Sequence, residues 1–147
     1  MKNYVYLMLV LGIALVACQK DKNKTKQYST WYINGQEINT NEVNSTIGKV
    51  TAVINSFDNS NRFSLTFNVG YFPTFGEYWV NCSQQNPSWC CLSIYYNGKG
   101  YYTKDNIFVT ANRLNNKASY DLDSSWMFDA LVAPTDSILV YGTFNEP

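Results

Sequence analysis

Few side chains in this 147-residue sequence could do chemistry. It has four cysteines, at positions 18, 82, 90 and 91, and no histidine. Without imidazole the commonest general base and metal ligand is missing, and a thiol nucleophile has no neighbour to activate it. Three body cysteines with an adjacent pair do not match the spacing of zinc fingers. Asp121 and Asp123, followed by Ser124 and Ser125, superficially resemble a calcium loop, with Asp129 as a further oxygen donor. Such a site needs six or more oxygens, usually a glycine and a later acid, and nothing here enforces that geometry. As a carboxylate pair on one strand face, Asp121 and Asp123 would stand about 7 Å apart, and spacing alone does not define a glycosidase. No catalytic residue, metal or cofactor is therefore expected, and the chain reads as non-enzymatic.

The remaining sulfur chemistry is cross-linking. Cys82, Cys90 and Cys91 sit on two expected strands joined by a short loop. In alternation Cys90 shares a face with Leu92 and Ile94, and Cys91 shares one with Trp89 and Tyr95, so only one of them can meet Cys82. Both pairings stay open, with Cys90 slightly favoured. The bond would close a short loop and contribute roughly 2–3 kcal/mol.

Aromatic residues form 16% of the chain. Tyr32, Tyr71, Phe72, Phe75, Trp79, Trp89, Tyr95, Tyr101 and Tyr102 are candidates for exposure. Tyr71, Phe72, Phe75, Trp89, Tyr101 and Tyr102 are the residues expected to bind a ligand, because rings in or beside loops can stack on sugar faces. The opposing expectation is that rings fill the core or ladder across strands.

The elements that position these groups begin at residue 28. Before it, Lys2 precedes an apolar run from Val5 to Val16. Twelve helical residues span about 18 Å, too short for a hydrocarbon core of about 30 Å, but the length of a signal h-region. The run ends in Leu15-Val16-Ala17-Cys18, which resembles the bacterial lipobox. That resemblance implies a signal peptide over 1–17, diacylation of the Cys18 thiol, cleavage before Cys18 and acylation of the new amine, with palmitate among the fatty acids. Two or more chains make a stable anchor where one does not. Residues 18–27 then form the lipidated cysteine and a tether. From Gln19 to Gln27, four lysines stand against one aspartate, a net of +3, with no apolar residue to join a core. As a random coil this tether spans about 15–18 Å.

Cys18-Gln19-Lys20-Asp21 resembles the lysine/acid export tag of Bacteroidetes surface lipoproteins. Only Asp21 supplies the acid, and Lys22 departs from the tag. The resemblance implies an outer-membrane protein, lipid-anchored and facing the cell exterior. Asp136-Ser137-Ile138 resembles the acceptor for O-glycosylation in exported proteins of that group, which makes Ser137 a candidate modification site.

From Tyr28 onward four lysines and two arginines face ten acids, a net of −4, so no basic face invites nucleic acid. Residues 28–147 are long enough for one domain with its own core. Short alternating runs are punctuated by Asn34-Gly35, Asp58-Asn59-Ser60-Asn61, Asn86-Pro87, Asn97-Gly98 and Pro134-Thr135-Asp136. Phe63, Leu65, Phe67 and Val69 alternate with Ser64, Thr66 and Asn68, the clearest half-buried strand. Trp126 to Val132 is apolar on both faces, as a central strand would be. About nine strands at this spacing predict an all-β antiparallel sandwich, jelly-roll or Ig-like, with a lipocalin-like closed barrel as the alternative. Asn34-Gly35, Gly76-Glu77-Tyr78 and Gly142-Thr143-Phe144 are similar to features of small all-β Bacteroidetes lipoproteins, a family that implies no activity.

These readings converge on a surface lipoprotein held to the membrane by its lipid. It would bind a glycan or protein, assemble as a structural or adhesive component through a sheet edge, or, as a barrel, hold a lipid.

Overall fold

The computed structural model of the chain describes residues 29–40, 42–58, 61–129, 131 and 136–147. The expected signal peptide, Cys18 and the expected tether lie outside the described residues, as do Asn41, Asn59, Ser60, Ala130 and residues 132–135. The described chain is all β. Its strands are β1 (Thr30–Ile33), β2 (Gln36–Asn39), β3 (Glu42–Ile47), β4 (Ala52–Asp58), β5 (Asn61–Phe67), β6 (Gly76–Val80), β7 (Trp89–Tyr96), β8 (Lys99–Tyr102), β9 (Phe108–Leu114), β10 (Lys117–Asp129) and β11 (Ser137–Asn145).

Turn chemistry sets the hairpins. Asn34-Gly35, Asn97-Gly98 and Asn115-Asn116 all hold positive φ at both turn positions, the twist that tight antiparallel hairpins require. Asn34 also clamps β11: its amide donates to the Leu139 carbonyl, and its Oδ1 accepts from the Leu139 amide, both at 2.8 Å.

All eleven strands belong to one sheet, in the order β2-β1-β11-β10-β9-β6-β7-β5-β4-β3, with β8 bridging β7 and β10. The bridge closes a ring of five strands: β10, β9, β6, β7 and back through β8. This is the closed-barrel architecture, with further strands outside the ring. The two separate sheets expected of a jelly-roll or Ig-like sandwich are not found among the described residues. The physical reason is that β8 and β9 lie end to end along the same edge of β10, so the sheet seals instead of splitting. One pair, β6 with β7, is parallel. Only Thr40 and Asn41 separate β2 from β3, so the chain itself joins the two ends of the hydrogen-bonded path.

Inward residues alternate along every long strand, as half-buried strands require. Ile54 on β4, Phe63, Leu65 and Phe67 on β5, Leu92 and Ile94 on β7, Val109 on β9, Tyr120 on β10 and Val140 on β11 are all buried. The centre is a ring stack. Phe63 lies flat on Phe144 with centroids 3.3 Å apart, and Trp31 leans on both. Tyr120 packs on Phe67 at 4.7 Å.

Two features depart from the sequence reading. Glu42–Ile47 forms a strand where none was expected. Its side chains are almost all exposed, so it lacks the alternation that marks a strand. The central strand expected from Trp126 to Val132 is instead the second half of a longer one, β10, which is interrupted by a bulge between Leu122 and Ser125 and leaves Trp126 exposed on one face.

Candidate functional site

The β10 bulge decides which side chains meet solvent. Leu122 pairs with Gly142 and Ser125 with Val140, so one extra residue of β10 is accommodated there. A bulge inserts one residue and resets the alternation. Before it Ala118, Tyr120 and Leu122 point inward; after it Ser125, Met127 and Asp129 do. Trp126 and Phe128 are thereby turned to the outer face, although they share the even numbering of Tyr120 and Leu122. Asp123, Ser124 and Ser125 are the residues at the shift, and Ser125 Oγ donates to the Asp123 carbonyl at 2.9 Å.

An aromatic face results. Phe128 pairs across the sheet with Tyr102 of β8, and Trp126 with Leu139 of β11. Tyr141 pairs with Tyr32 of β1, and their rings stack at 4.7 Å. Cross-strand partners lie on one face of a sheet, so Tyr102, Phe128, Trp126, Leu139, Tyr141 and Tyr32 form a continuous band across β8, β10, β11 and β1. Trp126 is half exposed, at 51%. The Lys104 ammonium lies 5.1 Å from the Phe128 ring centroid and 5.9 Å from that of Tyr102, within cation–π range. At the far edge the Tyr32 hydroxyl donates to Glu37 at 3.3 Å, and that carboxylate, first among the causes, raises the phenol above its ordinary value.

A second cluster lies on the ring strands. Trp79 of β6 and Phe108 of β9 are paired, with centroids 3.6 Å apart, and Trp89 of β7 is the parallel partner of Trp79. Of the four tryptophans only Trp31 is in the core.

The expected ligand-binding rings divide. Tyr71, Phe75 and Tyr102 are exposed and Trp89 is half-buried. Phe72 and Tyr101 are corrected to core residues: Phe72 is buried although it lies in the 68–75 loop, and Tyr101 pairs with inward-facing Asp129. Trp126, Phe128 and Tyr141 were missed as site residues. The polar run Asp123-Ser124-Ser125 inside an alternating strand was the available signal.

The disulfide joins Cys82 to Cys91, not to the slightly favoured Cys90. Val80 of β6 pairs with Cys90, and the Asn81 amide donates to the Cys90 carbonyl at 2.8 Å. Cys90 therefore stays with Leu92 and Ile94 inside, while Cys82, beyond the end of β6, meets the outward Cys91. Burial pushes the free Cys90 thiol up to about 12.

The carboxylates are not gathered. Asp121 accepts from Asn112 Nδ2 and Thr143 Oγ1, each at 2.7 Å, forming a clamp across β9, β10 and β11. Glu77 shares that face, one strand beyond Thr110. Asp129 points inward at the other end of β10, its Oδ1 accepting from the Leu131 amide, with Lys99 between it and Asp136. Among the described residues no cluster of three acids or thiols is placed to hold a metal. Ser137 stands half-buried at the start of β11, beside Phe128.

Comparison with protein-family models, with curated proteins and with solved structures returns no match.

Proposed function

We propose that the chain is a lipid-anchored, non-enzymatic binding module of the outer membrane. In this reading Cys18 carries the acyl chains and the 28–147 domain presents its aromatic face to the exterior. The observation that carries the binding role is the band Tyr102–Phe128–Trp126–Leu139–Tyr141–Tyr32 on a solvent face. A single exposed ring needs no explanation, whereas a contiguous apolar band on a sheet face marks an interaction site. Flat rings in register suit the apolar faces of sugar rings, and Lys104, Asp123 and Glu37 along the band offer hydrogen bonds to hydroxyl groups. The interior is taken up by Trp31, Phe63, Phe67, Tyr120 and Phe144, which favours the outer face over an internal lipid cavity.

The test is a glycan array probed with the mature protein, followed by titration of Trp emission with any hit. Tryptophan at the centre of a binding face is often worth 2 kcal/mol or more. Trp126→Ala is expected to weaken binding by about thirtyfold, with Cys90→Ala unchanged. Equal binding by Trp126→Ala would remove this face from the function.

A second reading rests on β3. Among the described residues it pairs only with β4, its six residues carry the single charge of Glu42, and no described strand takes its other edge. Open, weakly charged edges recruit strands from other chains. Concentration-dependent oligomers abolished by Asn44→Pro would favour assembly through this edge.

A further inference from the structure

The rings of the outer aromatic band do not surround one point. The strand registers set them on three successive steps. Tyr102 and Phe128 are cross-strand partners and form the first, level with Ser137. Trp126 and Leu139, also partners, lie two residues along and form the second. Tyr141 lies two residues beyond Leu139 and, with its partner Tyr32, forms the third. Each step advances about 6.7 Å along the strands. The same steps cross from β8 through β10 and β11 to β1, three spacings of about 4.8 Å. Tyr102 to Tyr32 is therefore a diagonal of about 20 Å over the sheet surface. Polar groups border this line. Tyr141 stands between Val140, opposite Ser125, and Gly142, opposite Leu122, so the exposed Asp123 and Ser124 lie beside it. Asp121 accepts from Thr143, two residues past Tyr141, and Glu37 accepts from the Tyr32 hydroxyl. These three carboxylates stand against the Lys104 ammonium, which sits over Tyr102 and Phe128.

We propose, resting on the reading of this face as a glycan site, that the band is a track for the internal stretch of a linear, uncharged polysaccharide. A sugar ring is about the size of one aromatic ring, so it covers one step of the track and no more. Three steps in line take a run of linked sugars lying obliquely across the strands. The rings meet the apolar sugar faces, and Asp123, Ser124 and Glu37 along the margin accept hydrogen bonds from hydroxyl groups. A strip on the face of a sheet has no wall against which a chain end would stop, so the middle of a chain fits it as well as an end. Once one sugar is seated, its neighbours reach the next step at a high effective concentration, and affinity climbs with chain length. The carboxylates along the margin repel uronate and sulfate groups, which selects against acidic chains.

The test is calorimetric titration of the protein, isolated with its natural N-terminus. The probes are gluco-, manno-, xylo- and galacto-oligosaccharides graded from monosaccharide to hexasaccharide, and oligogalacturonates of the same lengths. For the neutral sugar that binds, the hexasaccharide is expected to bind more than roughly tenfold tighter than the disaccharide. Oligogalacturonates are expected to bind more weakly than that sugar at equal length. Tyr32→Ala and Tyr102→Ala, at opposite ends of the track, should each weaken the hexasaccharide by roughly fivefold and the disaccharide less, whereas Trp126→Ala weakens both. Should an end variant fail to fold, the length series on the wild-type chain decides by itself. Equal affinity for disaccharide and hexasaccharide, with Trp126→Ala still weakening both, overturns the track and keeps the glycan site. Tighter binding of oligogalacturonates overturns the uncharged class. No binding of any oligosaccharide by the folded protein overturns the track and the glycan reading together.

Discussion

Gly142 is the position where one added methyl group should do the most damage. It lies on β11 opposite Trp31 of β1, with φ at +155°. A Cβ there would lie 2.5 Å from the Thr30 carbonyl oxygen, 2.6 Å from Trp31 Cα and 2.8 Å from Trp31 Cβ. Two of these are backbone atoms, and the third is fixed to the backbone, so no side-chain rotation relieves them. Reaching ordinary contact requires β1 to retreat by about 1 Å, which stretches hydrogen bonds of about 2.9 Å out of range. Losing part of that ladder costs about 1 kcal/mol per bond, and an alanine forced into this φ adds about 1–3 kcal/mol. Trp31 would also be drawn off Phe63 and Phe144. The expected loss for Gly142→Ala is about 3–5 kcal/mol, a large share of a typical 5–15 kcal/mol. In urea, with a slope near 1.5 kcal/mol per molar, the midpoint should fall by about 2–3 M. Gly100→Ala is the control, because a Cβ there meets nothing within 4 Å. A Gly142→Ala midpoint within 0.3 M of wild type would refute the close approach and the register of β1 on β11.

Three further outcomes are expected. The Tyr120 hydroxyl is buried without a hydrogen-bond partner among the described residues, so Tyr120→Phe should raise stability by about 1 kcal/mol, read as a higher urea midpoint. Reducing Cys82–Cys91 should lower stability by roughly 2–3 kcal/mol, the closure entropy of a loop of this length, while Cys90→Ala leaves the bond intact by mass spectrometry. The thiol of Cys90 has its ordinary value of 9.0 raised to about 12. Its contribution is therefore complete below pH 9 and lost as pH climbs from 9 to 12. The unfolding free energy measured across this window should drop by up to about 1.4 kcal/mol per pH unit, with a shallower drop in Cys90→Ala.

The strand content was legible because alternation and turn residues are local. Phe63, Leu65 and Phe67 face inward as their spacing requires, and Asn34-Gly35 and Asn97-Gly98 form the hairpins they signal. The restriction that only one of Cys90 and Cys91 could face Cys82 was also local. Which one did so was not, because it depended on the parallel pairing of Val80 with Cys90. Closure of the sheet depended likewise on β8 meeting both β7 and β10.

What the sequence determined by itself is an all-β body with hairpins at Asn34-Gly35 and Asn97-Gly98, because each of those signals acts within a few residues. Only the tertiary structure decided that the sheet closes and that Trp126 and Phe128 face water. Strand pairing between distant residues follows from global packing. One extra residue at Asp123-Ser124, seated opposite β11, reverses every side chain after it, and no short-range pattern sets the face to which a strand is committed once such a bulge intervenes.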